Sequence, residues 1–185
     1  MILNSQKKQL SSQCASLFEE LVSGRPSALE DIYNLAGRQM FTVAYNIVGD
    51  YQLAEDALQD GLLQIYKNSS QLKDVSKALS WMLTIINNAA CAILRKRKAE
   101  IPSEDTEIIA QADAAGKVME DFSKNADDSL KKAMESLDPD SRNIVILKTV
   151  MGYTYKEIAQ ITGLSVANCQ KKHQRALKAL KELLS

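Results

Sequence analysis

The sequence predicts an all-α protein of two helical domains joined by an acidic linker. Three observations carry that prediction. The 185 residues include only three prolines and seven glycines amid abundant Leu, Ala, Lys, Glu and Gln, a composition that favours helix almost throughout. Apolar residues recur at helical spacing in separate stretches on either side of the middle of the chain. Between those stretches, Glu100 to Asp128 holds nine acidic residues against two lysines, with few apolar side chains from which to build a core.

Leu29, Ile32, Tyr33, Ala36, Met40, Val43, Ala44 and Ile47 fall on one face of a first long helix, and Gly49 stands where it should stop. Ala54, Ala57, Leu58, Gly61, Leu62, Ile65 and Tyr66 repeat the pattern in a second helix. A polar loop, Asn68 to Lys77, leads to a third helix from Ala78 that buries Met82, Ile85, Ile86, Ala89 and Ile93. The helical pattern runs from residue 13 to 98, so the first domain is placed at 1–98 and the linker at 99–126. In the second domain, 127–185, Asp138 and Pro139 form an N-cap with proline at the first helical position. Ile144, Val145, Leu147 and Val150 follow as a buried stripe ending near Gly152. Thr154 and Glu157 have capping-box spacing, Gly163 ends that short helix, and Ser165 can cap the last one.

Charge narrows the function. Lys plus Arg equals Asp plus Glu at 23 each, so any nucleic-acid signal has to be local. It is local: Arg95 to Lys98 precede the acidic stretch, and Lys171, Lys172, Arg175, Lys178 and Lys181 lie near the C-terminus. Cys14, Cys91 and Cys169 are widely separated and lack metal-ligand spacing, which fits a reduced, cytoplasmic chain. No apolar run of spanning length and no signal peptide is read, so neither a membrane span nor export is expected. No nucleophile with a base, phosphate loop or metal cluster can be assembled; no enzyme, cofactor or metal site is expected.

The strongest local pattern is a short helix from Tyr155, a turn with Gly163 four residues after Ala159, and a capped helix with Cys169 six residues beyond the glycine. That is helix-turn-helix spacing. Its second helix offers Ser165, Asn168, Lys171, Lys172 and Arg175 for phosphates and base edges. On the third helix, Thr84, Asn87, Asn88, Cys91, Arg95 and Lys98 form a polar stripe ending in cations. Such a stripe suits single-stranded bases and backbone, and equally an ordinary solvated face. On the second helix, Asp56, Gln59 and Asp60 with Leu63 could dock a basic partner helix; on spacing alone they too fit a solvated face. Trp81 reads as core, and His173 as a surface or groove-facing residue.

Taken together, residues 17 to 184 resemble the sigma-70 family, in particular its extracytoplasmic-function (ECF) group. Leu21 to Gly24 with Ala28 to Tyr33 is similar to the family's opening helix, and Ala54 to Asp60 to its most specific short motif. Trp81, Asn88 and Arg95 to Lys98 resemble the helix that recognises the −10 element. Leu137, Pro139, Arg142, Glu157 to Ala159, Gly163, Ser165, Arg175 and Ala176 resemble the region that reads the −35 element. The resemblance implies that Asp56, Gln59, Asp60 and Leu63 bind the clamp helices of core RNA polymerase. It also implies that Asn87, Asn88, Cys91, Arg95 and Lys98 meet the −10 element, with a base-holding pocket in the loop Asn68 to Lys77. The last helix would read the −35 element. Partners implied are core RNA polymerase, through clamp helices and flap, promoter DNA and an anti-sigma factor. Asn87, Ala92, Asn168, Cys169, Gln170 and His173 depart from common family residues, so a promoter sequence does not transfer from relatives. On the residues alone, a free-standing helix-turn-helix repressor or activator and an all-helical interaction protein remain open.

Overall fold

The computed structural model describes residues 2–100 and 128–184. Among them are eight α-helices and no strand. The expected linker, 99–126, lies outside the described residues apart from its first two positions, which continue a helix.

The first half holds α1 (Ile2–Val22), α2 (Ala28–Val48), α3 (Tyr51–Asn68) and α4 (Ala78–Glu100). The helix α1 begins well ahead of the expected domain start at residue 13. Cys14, Phe18 and Leu21 form its buried stripe, and three apolar residues over two turns are too sparse for periodicity to single out. Between α2 and α3 the chain reverses at Gly49, whose φ of 70° closes α2 by donating its N–H to the Tyr45 carbonyl. Asp50 then caps α3 by accepting from the Leu53 amide at 2.9 Å. Two short 3₁₀ turns, Ser69–Gln71 and Val75–Lys77, occupy the expected loop.

Phe18, Ile32, Met40, Ile65, Met82 and Ile86 meet in a core around which α2, α3 and α4 pack. Gly61 lets α3 lie close against α4: a Cβ there would stand 2.3 Å from Ile86 Cδ1. Trp81 is half-buried with its ring edge-on to Phe18 at 5.6 Å, as a core-side residue. Two aromatics leave the stripes on which their spacing put them: Tyr33 is 46% and Tyr66 47% exposed. By length and composition alone the segment Val75–Ala99 would pass as a membrane-crossing helix, although Ser80, Thr84, Asn87 and Asn88 interrupt any continuous apolar run. Its apolar side, Leu79, Met82, Leu83, Ile86 and Ala90, is the central core, which accounts for that composition.

The second half comprises α5 (Asp128–Glu135), α6 (Pro139–Val145) continuing into a π-helical turn (Ile146–Val150), α7 (Tyr155–Thr162) and α8 (Val166–Leu183). Each expected start signal operates. Asp138 accepts from the Ser141 amide, Thr154 and Glu157 make both halves of the capping box, and Ser165 accepts from Asn168. Gly163, at φ 73°, makes the left-handed turn between α7 and α8. Arg142 donates to the carbonyls of Met134, Glu135 and Leu137, satisfying the C-terminal end of α5. Ala133, Leu137, Val145, Ala176 and Leu180 form a small core under α5 and α8. Ile144, Leu147, Ile158 and Ile161 instead join the core of the first half, so the two halves are packed together.

Candidate nucleic-acid interface

The expected site residues lie on three helix faces. On α3, the buried stripe Ala54, Ala57, Leu58, Gly61 and Ile65 turns the opposite face outward. Asp56, Gln59, Asp60 and Leu63 are all exposed there, Leu63 at 57%. Beside them, α2 and α3 enclose an open groove of about 590 Å³ walled by Tyr33, Phe41, Tyr51 and Leu62, with Gln59 on its lining. Spacing alone hid this groove, because Tyr33 fits the apolar stripe of α2 as well as it fits a groove wall. Carboxylates flanking apolar surface form a patch suited to a basic, amphipathic partner helix.

On α8, Cys169, His173, Ala176 and Leu180 are buried, which directs Asn168, Lys171 and Arg175 to solvent at the spacing of one face. The Ser165 hydroxyl is engaged in capping, its oxygen 3.2 Å from the Asn168 amide. Lys172 sits between two carboxylates, 3.0 Å from Asp138 and 3.4 Å from Asp140. Burial opposes the charge on Asp138 and Lys172, but the hydrogen bonds of Ser141 and Lys172 to Asp138 outweigh it. Asp138 therefore titrates below the usual carboxylate range and Lys172 above the usual amine range.

His173 is not the surface residue that its basic neighbours suggest. It is 6% exposed, its Nδ1 lies 2.8 Å from the Tyr155 hydroxyl, and its ring stands edge-on to that tyrosine. Its place three residues before Ala176 puts it on the buried side of α8, and Tyr155 supplies the partner that burial of a ring nitrogen requires. Burial, then the nearby Lys148 ammonium, lowers its pKa below the ordinary histidine value. Lys148 itself lies 4.8 Å above the Tyr155 ring.

The stripe on α4 is divided. Asn88, Arg95 and Lys98 are exposed and Cys91 is half-buried. Asn87 is only 4% exposed, because Asn143 of α6 donates to its Oδ1 at 3.1 Å. Thr84 lies beneath α7, its hydroxyl 3.5 Å from the Gln160 carbonyl. In this arrangement Asn87 is covered and Thr84 partly so, while Asn88, Arg95 and Lys98 stay open.

A family model described as Sigma-70 region 2 matches residues 24–100, and one described as Sigma-70 region 4 matches residues 127–180. RNA polymerase sigma factor CarQ of Myxococcus xanthus is 28% identical over 169 residues, covering 90% of this chain and 94% of the relative. ECF RNA polymerase sigma factor EcfG of Rhodopseudomonas palustris is 27% identical over 146 residues, 76% of each chain. Among solved structures, sigma factor RpoE in complex with the anti-sigma factor NepR from Bartonella quintana superposes with a TM-score of 0.70 at 25% identity. That match covers 85% of this chain and 97% of the other. The region 2 match contains α2, α3 and α4, and the region 4 match contains the helix-turn-helix. The chain therefore belongs to the sigma-70 family as an ECF sigma factor, which confers promoter recognition and transcription initiation on bacterial RNA polymerase.

Proposed function

We propose a division of this activity among the three faces, with a first domain over 1–98 and a second over 127–185. Asp56, Gln59, Asp60 and Leu63 dock the polymerase clamp helices. Asn87, Asn88, Cys91, Arg95 and Lys98 meet the −10 element. Ser165, Asn168, Lys171, Lys172 and Arg175 position α8 in the major groove at the −35 element. The observation that carries this reading is the joint exposure of Asp56, Gln59, Asp60 and Leu63 on one face of α3 and of Asn168, Lys171 and Arg175 on one face of α8. Cations on a helix-turn-helix supply phosphate contacts and base readout, and an acidic patch with an exposed leucine supplies the protein contact.

The protein works by binding, with no cofactor and no catalysis of its own. An anti-sigma factor is a natural partner, since NepR is bound to the RpoE to which this chain is similar. It would act by covering the α3 or α8 face.

The test is transcription by core polymerase from a promoter library with wild type, Asp56→Ala and Lys171→Ala/Arg175→Ala. Transcripts that depend on the protein and weaken in both variants support the assignment. Tight duplex binding without polymerase, with no dependence of transcription on the Asp56 face, would overturn it.

A further inference from the structure

We propose that α1 is an intramolecular clasp, in which Lys7 holds the helix-turn-helix against the first domain and keeps Asn87, near the leading end of the α4 stripe, covered until the clasp is released. The region 2 match begins at residue 24, so all of α1 lies ahead of it. Lys7 of α1 nonetheless reaches the other half of the chain. Lys7 Nζ lies 2.6 and 2.7 Å from the two carboxylate oxygens of Glu157, 150 positions away. Their side chains are 18% and 33% exposed, and the same ammonium sits 4.2 Å above the buried ring of Tyr153. Glu157 also completes the capping box of α7, so Lys7 grips the N-terminal end of the first helix of the helix-turn-helix. Burial raises the Glu157 pKa, but hydrogen bonds from Lys7 and from the Thr154 backbone and hydroxyl outweigh it and keep the carboxylate charged.

What the clasp covers is specific. With α7 and α6 in place, Asn87 is shut away from solvent and Thr84 is partly covered, whereas Asn168, Lys171 and Arg175 stay exposed. Closure takes Asn87 out of the α4 face and leaves the α8 face accessible. The interface also has the make-up of a contact that can open. It contains a half-buried ion pair and an amide pair, and the Asn143 Oδ1 within it has no hydrogen-bond partner. Such a group is better satisfied in water than in the closed state. Polymerase binding to the first domain is the event that would draw on this reserve. That last link rests on the assignment of α4 to the −10 element; the clasp does not.

Hydrogen exchange on the full chain tests it, comparing wild type with Lys7→Glu, which sets two carboxylates together, and Lys7→Met, which keeps the stem over Tyr153 and removes the charge. Release of the two halves speeds exchange in the segments they bury. The expected result is about tenfold faster exchange in peptides spanning 82–92 and 155–162 for Lys7→Glu, a change equal to about 1.4 kcal/mol. Lys7→Met shows a smaller change in the same peptides, and α3, which packs on elements of the first half, and the 176–180 end of α8 keep their protection in both. The proposal is overturned if neither variant alters these two segments by more than twofold, or if α3 and the 176–180 end of α8 accelerate equally with them. Transcription assays on the same proteins separate the two readings, because wild type inactive with core polymerase defeats the α4 assignment and leaves the exchange result standing.

Discussion

The side-chain amide of Asn143 donates a 3.1 Å hydrogen bond to Oδ1 of Asn87, joining two residues 56 positions apart that are 1% and 4% exposed. A polar pair inside an apolar interface is costly to break from one side, since the remaining amide stays buried without its partner. Asn143→Ala is expected to destabilise the packed arrangement by about 1–3 kcal/mol. In urea unfolding, the double variant Asn87→Ala/Asn143→Ala should lose measurably less than the sum of the single variants.

Gly61 is buried, and Ile86, against which it rests, has no solvent into which to move. Gly61→Ala gains about 1 kcal/mol of helix propensity and meets Ile86 Cδ1 head-on, an overpacking that costs about 1–3 kcal/mol. A net loss in thermal stability is expected. Adding Ile86→Val removes the clashing methyl and should restore part of the loss; additive destabilisation would contradict the packing argument.

The cations of α8 are not equivalent. Lys171 and Arg175 are exposed, while Lys172 is partly neutralised by Asp138 and Asp140. Replacing Lys171 or Arg175 by Ala should flatten the log-log salt dependence of promoter binding by the polymerase complex by about one unit each. Lys172→Ala should change that slope less and cost stability instead, by releasing the N-cap of α6 from its cation.

His173 predicts a pH dependence. The Tyr155 hydroxyl is bonded to its Nδ1, and Lys148, on the π-helical turn before α7, is the nearby charge that disfavours its protonation. Its folded pKa is depressed, so the unfolded chain takes up the proton first as pH falls. Its contribution to stability is full above the ordinary histidine pKa of about 6.5 and is lost as pH falls through the lower folded value. Urea midpoints measured between pH 7.5 and 5 should fall for wild type, and His173→Leu should flatten that part of the profile.

Much of the molecule was legible in the sequence because it is encoded locally. The stripes of α2, α3 and α4, the caps at Asp138, Thr154 and Ser165, and the turn at Gly163 each depend on residues within a few positions of one another. Helical periodicity and the need to satisfy free backbone groups at helix ends translate those short patterns directly into structure. The exposed faces of α3 and α8 followed from the same periodicity, since a buried stripe dictates which side chains point away from it.

Tertiary structure alone decided the rest. Tyr33 was compatible with core and groove wall, and only the gap between α2 and α3 chose between them. His173 was compatible with a surface, and a tyrosine hydroxyl 18 positions away drew it inside. Nothing near Lys7 or Asn87 in the chain names Glu157 or Asn143 as a partner. A lysine or an asparagine has many chemically acceptable partners, so its choice is fixed by which surfaces the apolar core brings together.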